Sequence, residues 1–120
     1  MNLETLIELS TKEPLDSAAI QRVCVQERMP VERVLDAFAT KVAEGYCAGR
    51  YSWQFGDVAM NALYTYAYVL SDTCLSDHAM GVYEAFDEGE YRHPGDPKDF
   101  DGELRTHELL HGLGFDAYRS

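Results

Sequence analysis

Two histidines and a glutamate near the end of the chain have the spacing of a zinc site. His107, Glu108 and His111 form the pattern HExxH. On a helix, two histidines four residues apart lie on one face and can bind the same Zn²⁺ ion. The glutamate beside the first histidine can then act as general base toward a metal-bound water. The chemistry that this pattern predicts is hydrolysis by a zinc-activated water.

The match extends beyond these five residues. The segment HELLHGLGF, with Gly114 at its eighth position, resembles the HExxHxxG segment of metzincin metalloproteases. The resemblance implies a zinc hydrolase in which His107 and His111 bind the metal and Glu108 is the base. It covers about ten of the 120 residues, and HExxH arises by chance in about one of a hundred shuffled chains of this composition.

The rest of the metzincin pattern is missing. A third ligand belongs three residues after the glycine, where this sequence has Ala117. Other zinc proteases take a glutamate from a later helix, but only nine residues follow His111. His78, His93 or an acidic residue would have to complete the site in space. We therefore expect no catalytic residue, no cofactor and no bound metal, and we keep the zinc hydrolase as an alternative.

The net charge of −11 argues for a different kind of function. Residues 51–120 contain thirteen acids and four bases. This charge repels phosphate, so direct binding to nucleic acid is disfavoured, including a helix-turn-helix over residues 17–39. It suits a basic protein partner, although acidity also serves simply to keep a protein soluble.

The acids are concentrated between residues 84 and 108, where nine of them face only three bases. Aromatic residues among the acids could anchor a partner, while the carboxylates would steer it. A solvated surface without a partner has the same composition. The candidate partner-binding residues are Tyr83, Glu84, Asp87, Glu88, Glu90, Tyr91, Asp96, Asp99, Phe100 and Asp101.

Apolar periodicity and capping residues predict an all-α fold. We expect a single domain, residues 1–120, that is a compact bundle of five or six helices with a long irregular acidic loop before the last helix. The predicted helices span residues 2–11, 16–28, 30–47, 55–71, 77–88 and 103–111, with Gly89 and Gly112 ending the last two. The helix from Phe55 is expected to be central, with its core face formed by Phe55, Ala59, Ala62, Leu63, Tyr66, Val69 and Leu70.

The three cysteines are far apart in sequence and lie among apolar residues, which is typical of buried thiols in a reducing compartment. The N-terminus lacks the pattern of a secretory signal and no apolar run could span a membrane, so we expect a cytoplasmic protein. The predicted function is an acidic protein-binding module that inhibits a basic partner, such as a nuclease, as immunity proteins, antitoxins or phage anti-defence proteins do. The other alternative is a structural or adaptor subunit, possibly a homo-oligomer.

Overall fold

Six α-helices and one π-helical segment form the part of the protein that the structure describes. The computed structural model describes residues 1–91, 94–96 and 101–115, and these ranges contain no β-strand. The radius of gyration is 14.3 Å, and the all-α prediction is confirmed. The helices are α1 (Leu3–Ser10), α2 (Ser17–Glu27), α3 (Val31–Cys47), α4 (Trp53–Thr65), α5 (Asp77–Glu88) and α6 (Gly102–Gly112), and the π-helical segment Tyr66–Leu70 continues α4.

Side-chain caps explain where most of the helices begin. The side chains of Asn2, Asp16, Ser52 and Ser76 accept hydrogen bonds from amide groups in the first turns of α1, α2, α4 and α5. Each cap satisfies an N–H group that has no partner within its helix. These starts agree with the sequence prediction, except that α4 begins two residues early, at Trp53.

The core lies between α3 and α4. Helix α3 packs against α1, α2, α4 and α5, while α4 packs against α1, α3 and α5. The apolar residues that recur at helical spacing along α3 are buried from Val34 to Tyr46. The longest helix, α3, therefore shares the central position that the sequence assigned to α4 alone.

The π-helical segment changes which residues of the central helix reach the core. The amide of Ser71 bonds to the carbonyl of Tyr66, five residues back, so the turn is wider than an α-helical one. The predicted face assumed a period of 3.6 throughout; it was confirmed at Tyr66, which is buried, and was wrong at Val69 and Leu70. Val69 and Leu70 are 71% and 56% exposed, whereas Met60, which the prediction omitted, is fully buried.

A close approach between two glycines joins α6 to α5. A Cβ atom on Gly89 would lie 2.5 Å from Oγ1 of Thr106 and 2.7 Å from the carbonyl oxygen of Gly102. The φ angle of Gly89 is −74°, so this glycine is required for space rather than for a left-handed turn. Trp53 Nε1 donates to Thr106 Oγ1 at 3.0 Å, and that hydroxyl donates to the carbonyl of Ala85 at 2.8 Å. The start of α4 is thus bonded to α6 directly, and to α5 through the hydroxyl group of Thr106.

Two other expectations are tested by the fold. Cys24 and Cys47 are buried, but Cys74 is exposed in the connection before α5, so its predicted burial was wrong. Within the described residues, no helix is long and apolar enough to cross a membrane.

Candidate functional site

The HExxH residues lie on α6, the last helix, which packs mainly on α5. The ring of His107 is half-buried and stacks on the ring of Tyr46, with centroids 4.6 Å apart. Its Nδ1 atom is buried and has no hydrogen-bond partner among the described residues. Glu108 and His111 are exposed. One histidine of the pair therefore contacts the core, and the other faces solvent.

The third ligand that a zinc site needs is not supplied by the described residues. They contain no group of three or more His, Cys, Asp or Glu side chains that could hold a metal ion. His78 lies on α5, where its Nε2 atom is 2.6 Å from the hydroxyl of Thr40. His93, the other candidate ligand, lies outside the described residues.

Gly114, the glycine of the metzincin-like segment, has a structural role at the end of α6. Its φ angle is +100°, which is strained for any other residue type. The amide of Gly114 bonds to the carbonyl of His111, and that of Phe115 bonds to the carbonyl of Leu110, both at 3.0 Å. These two bonds form a Schellman motif. Gly114 thus ends the helix, and the prediction that Gly112 does so was wrong.

The predicted partner-binding residues fall into three groups. Tyr83, Glu84, Asp87 and Glu88 lie on the second half of α5, and Glu90 and Tyr91 follow directly. Asp96 and Asp101 lie nearer the start of α6, and Asp99 and Phe100 lie outside the described residues.

Asp96 and Asp101 are engaged in local structure. Asp96 is paired with Arg105, with Oδ1 of the aspartate 2.5 Å from a guanidinium nitrogen, and its side chain is only 14% exposed. Asp101 caps α6 by accepting from the amides of Glu103 and Leu104 at 3.0 and 3.3 Å. Both carboxylates therefore hold the chain as it enters α6.

The sequence interpretation missed Asp57, which lies on α4 beside the acids of α5. Its Oδ1 atom is buried, with no hydrogen-bond partner in the described part of the chain. Burial, a hydrogen bond with Glu90 and the charges of Glu90 and Asp87 raise the pKa of Asp57 to about 7. Burial and the charges of Glu90 and Glu88 also raise the pKa of Asp87. Among the described residues, the charges that shift these two carboxyl groups are all other carboxylates.

Tyrosine rings lie beside these acids. Tyr64 of α4 stacks on Tyr83 of α5, with centroids 4.3 Å apart and planes 16° from parallel. Burial and then the charge of Asp87 raise the pKa of Tyr83 to about 12. Tyr91 is 53% exposed, and the charges of Asp87 and Glu90 raise the pKa of its hydroxyl.

We use the name acidic face for this surface, which carries five carboxyl groups and two tyrosine rings and has no base among its described residues. Its members are Asp57, Tyr83, Glu84, Asp87, Glu88, Glu90 and Tyr91. Closely spaced carboxylates favour a cation that neutralises them, and an aromatic ring can also contact the flat face of a guanidinium group. The arrangement is therefore suited to an arginine or lysine side chain from a partner.

A signal for Asp57 was present in the sequence. Asp57, Asn61, Tyr64 and Tyr68 recur at helical spacing on one side of α4, and Tyr83, Asp87 and Tyr91 recur in the same way from α5 onward. Both sets of residues combine tyrosines with an aspartate, so their packing against each other could have been proposed. Comparison of the chain with protein-family models, curated proteins and solved structures finds no match.

Proposed function

We propose that this protein binds a basic partner protein through the acidic face. The observation that carries the proposal is the position of Asp57, whose pKa is raised to about 7 by burial and by the carboxyl groups of Glu90 and Asp87, with no basic side chain of the described residues contributing. Keeping like charges close together is unfavourable in the isolated protein. A cationic partner relieves that repulsion, so binding gains electrostatic free energy in addition to contact area.

The aromatic rings support a protein partner rather than a simple counterion. Tyr91 exposes about half of its surface next to the carboxylates, and Tyr83 is held in place by its stacking on Tyr64. Tyrosine is enriched at protein interfaces because it contributes large contact area with few rotatable bonds. Arginine is the favoured complement, since its guanidinium group pairs with carboxylates and stacks on rings.

The finer version of the proposal is an inhibitor of a nucleic-acid-acting protein. Nucleases and related proteins carry basic surfaces that bind phosphate, and an acidic protein can occupy such a surface in place of the nucleic acid. Loss of the partner's nuclease activity on addition of this protein supports an inhibitor, whereas retained activity in the complex indicates an adaptor.

The test is capture of the partner from native host lysate by three forms of the immobilised protein. These are the wild type, the double variant Asp87→Lys/Glu90→Lys and the control Glu13→Lys/Glu27→Lys, whose reversed acids are exposed and lie outside the acidic face. Both variants change the net charge equally, so a difference between them reports position rather than total charge. Circular dichroism verifies that all three are folded.

We expect the wild type and the control to capture the same basic protein at low salt and to release it at high salt. The Asp87→Lys/Glu90→Lys variant should capture little of it. Equal capture of every salt-sensitive protein by both double variants contradicts the proposal.

The zinc-hydrolase alternative remains a prediction with its own test. If the alternative holds, the chelator-treated protein should bind one equivalent of Zn²⁺ on titration. The His107→Ala variant should lose this binding. Absence of binding removes it, because both proposed ligands are present in the protein as it stands.

A further inference from the structure

A groove lies on the side of α4 away from the acidic face, and its local charge is positive rather than negative. It lies between the C-terminal half of α1, the connection from α3 to α4 and the first turn of α4, with a volume of about 490 Å³. Small-molecule sites commonly measure about 300–1,000 Å³. The lining residues that matter here are Glu8, Lys12, Arg50, Tyr51, Ser52 and Phe55.

The groove brings together two basic side chains in an acidic protein. Lys12 and Arg50 are exposed, and neither side chain makes a salt bridge within the described residues. Glu8 is the only acid in the lining. The chain has ten bases against 21 acids, whereas the described lining of this groove has two bases against one acid, so its local charge is opposite to that of the molecule.

The aromatic wall of the groove is held in place from behind. The rings of Tyr51 and Phe55 stack with centroids 4.5 Å apart. Gly45 of α3 leaves the space that the Tyr51 ring fills, since a Cβ atom there would collide with that ring. A fixed aromatic surface binds a planar group without the loss of further side-chain freedom.

Ser52 adds a hydrogen-bond donor to the two cations. Its Oγ atom accepts the capping bond from the amide of Phe55 at 3.0 Å, which leaves the hydroxyl proton to donate elsewhere. The first amide groups of α4 follow Ser52 and have no carbonyl partner within the helix. The partial positive charge of this helix end adds to the charges of Lys12 and Arg50.

We propose that this groove binds a small organic anion, with a phosphate or carboxylate group held by Lys12, Arg50 and Ser52 and a planar ring lying against Tyr51 and Phe55. Asp57, which belongs to the acidic face, is two residues beyond Phe55 and therefore about 200° around the helix. This proposal is independent of the proposed protein partner.

Four compounds test the contributions of the planar ring and of the anionic group separately. In an NMR titration, adenosine monophosphate represents a ring with a phosphate and benzoate a ring with a carboxylate, while adenosine and inorganic phosphate each lack one half. We expect saturable shifts at the amides of Arg50, Tyr51 and Phe55 with at least one of the two ring-bearing anions. The anion that binds more tightly shows whether the groove prefers a phosphate or a carboxylate group. Adenosine and inorganic phosphate should each bind at least about tenfold more weakly than that anion.

Paired variants test the residues. Lys12→Ala/Arg50→Ala should weaken binding of the preferred anion by about tenfold or more. The control Arg22→Ala/Arg33→Ala removes two exposed bases outside the groove and should leave the affinity unchanged. The proposal is overturned if neither ring-bearing anion gives saturable shifts. It is also overturned if adenosine monophosphate is the preferred ligand and adenosine binds as tightly, or if the two double variants bind the preferred anion equally.

Discussion

The carboxyl group of Asp57 is partly buried and hydrogen-bonded to a second carboxyl group, that of Glu90. Its pKa rises from an ordinary value of 3.8 to about 7 in the folded protein. Between these two values the folded protein retains a proton that the unfolded chain has released. The contribution of Asp57 to stability is therefore fully present below about pH 4 and is lost as the pH rises through 7.

The variant Asp57→Asn should remove this pH dependence because an amide does not ionise. We expect its free energy of unfolding at pH 8 to exceed that of the wild type by about 1–2 kcal/mol, and the difference to shrink at pH 5. Urea unfolding at the two pH values measures it. Glu84→Gln is the matched control at an exposed position of the acidic face. Parallel pH profiles for wild type and Asp57→Asn contradict this account of the carboxyl pair.

At the scale of the elements, the described helices end for different physical reasons. Helix α6 ends in a Schellman motif at Gly114, whereas α5 ends where Gly89 meets Gly102. The first needs glycine for its positive φ angle and the second needs it for space. Sequence patterns show both as glycine after a helix and do not distinguish the two causes.

Two alanine variants at the end of α6 separate the roles of its glycines. Gly114→Ala forces a Cβ atom into the left-handed region and should destabilise the protein by about 1–2 kcal/mol. Gly112→Ala should stabilise it by about 0.5–1 kcal/mol, because Gly112 is helical and a Cβ atom there meets no neighbour within 4 Å. Thermal unfolding measures both. The opposite order of stability is incompatible with the helix end described here.

The sequence predicts this fold well where residue type and helical period determine the structure. The predicted starts of α1, α2 and α5 follow from residue type and period, and in the structure these helices begin at caps formed by Asn2, Asp16 and Ser76. The π-helical turn could not be predicted, because a single widened turn leaves no periodic signal in the sequence. For the same reason the exposure of Val69 was missed.

The candidate site was only partly predictable. The acids of α5 stand out in the sequence, but the role of Asp57 depends on how α4 and α5 pack against each other. The pairing of Asp96 with Arg105 likewise depends on the path of the loop before α6. Composition alone could not separate carboxylates that are paired locally from those that repel one another.

Across the whole molecule, charge is unevenly distributed about α4. The acidic face lies on the side toward the second half of α5, and the groove with Lys12 and Arg50 lies by the first turn of α4 and α1. Separation of opposite charges on two sides of one helix allows a basic protein and a small anion to bind without competing for the same surface. The proposed functions therefore predict separable effects of mutations on the two sides.

The most direct test of the proposed protein-binding function is the association rate constant of the captured partner at low and at physiological salt. We expect Asp87→Lys/Glu90→Lys to lower that rate by about tenfold or more at low salt and to flatten its salt dependence, because steering acts on the encounter of the two proteins. Glu13→Lys/Glu27→Lys, with the same net charge, should retain most of the rate. Equal rates and equal salt dependence for the two double variants would contradict a binding role for the acidic face.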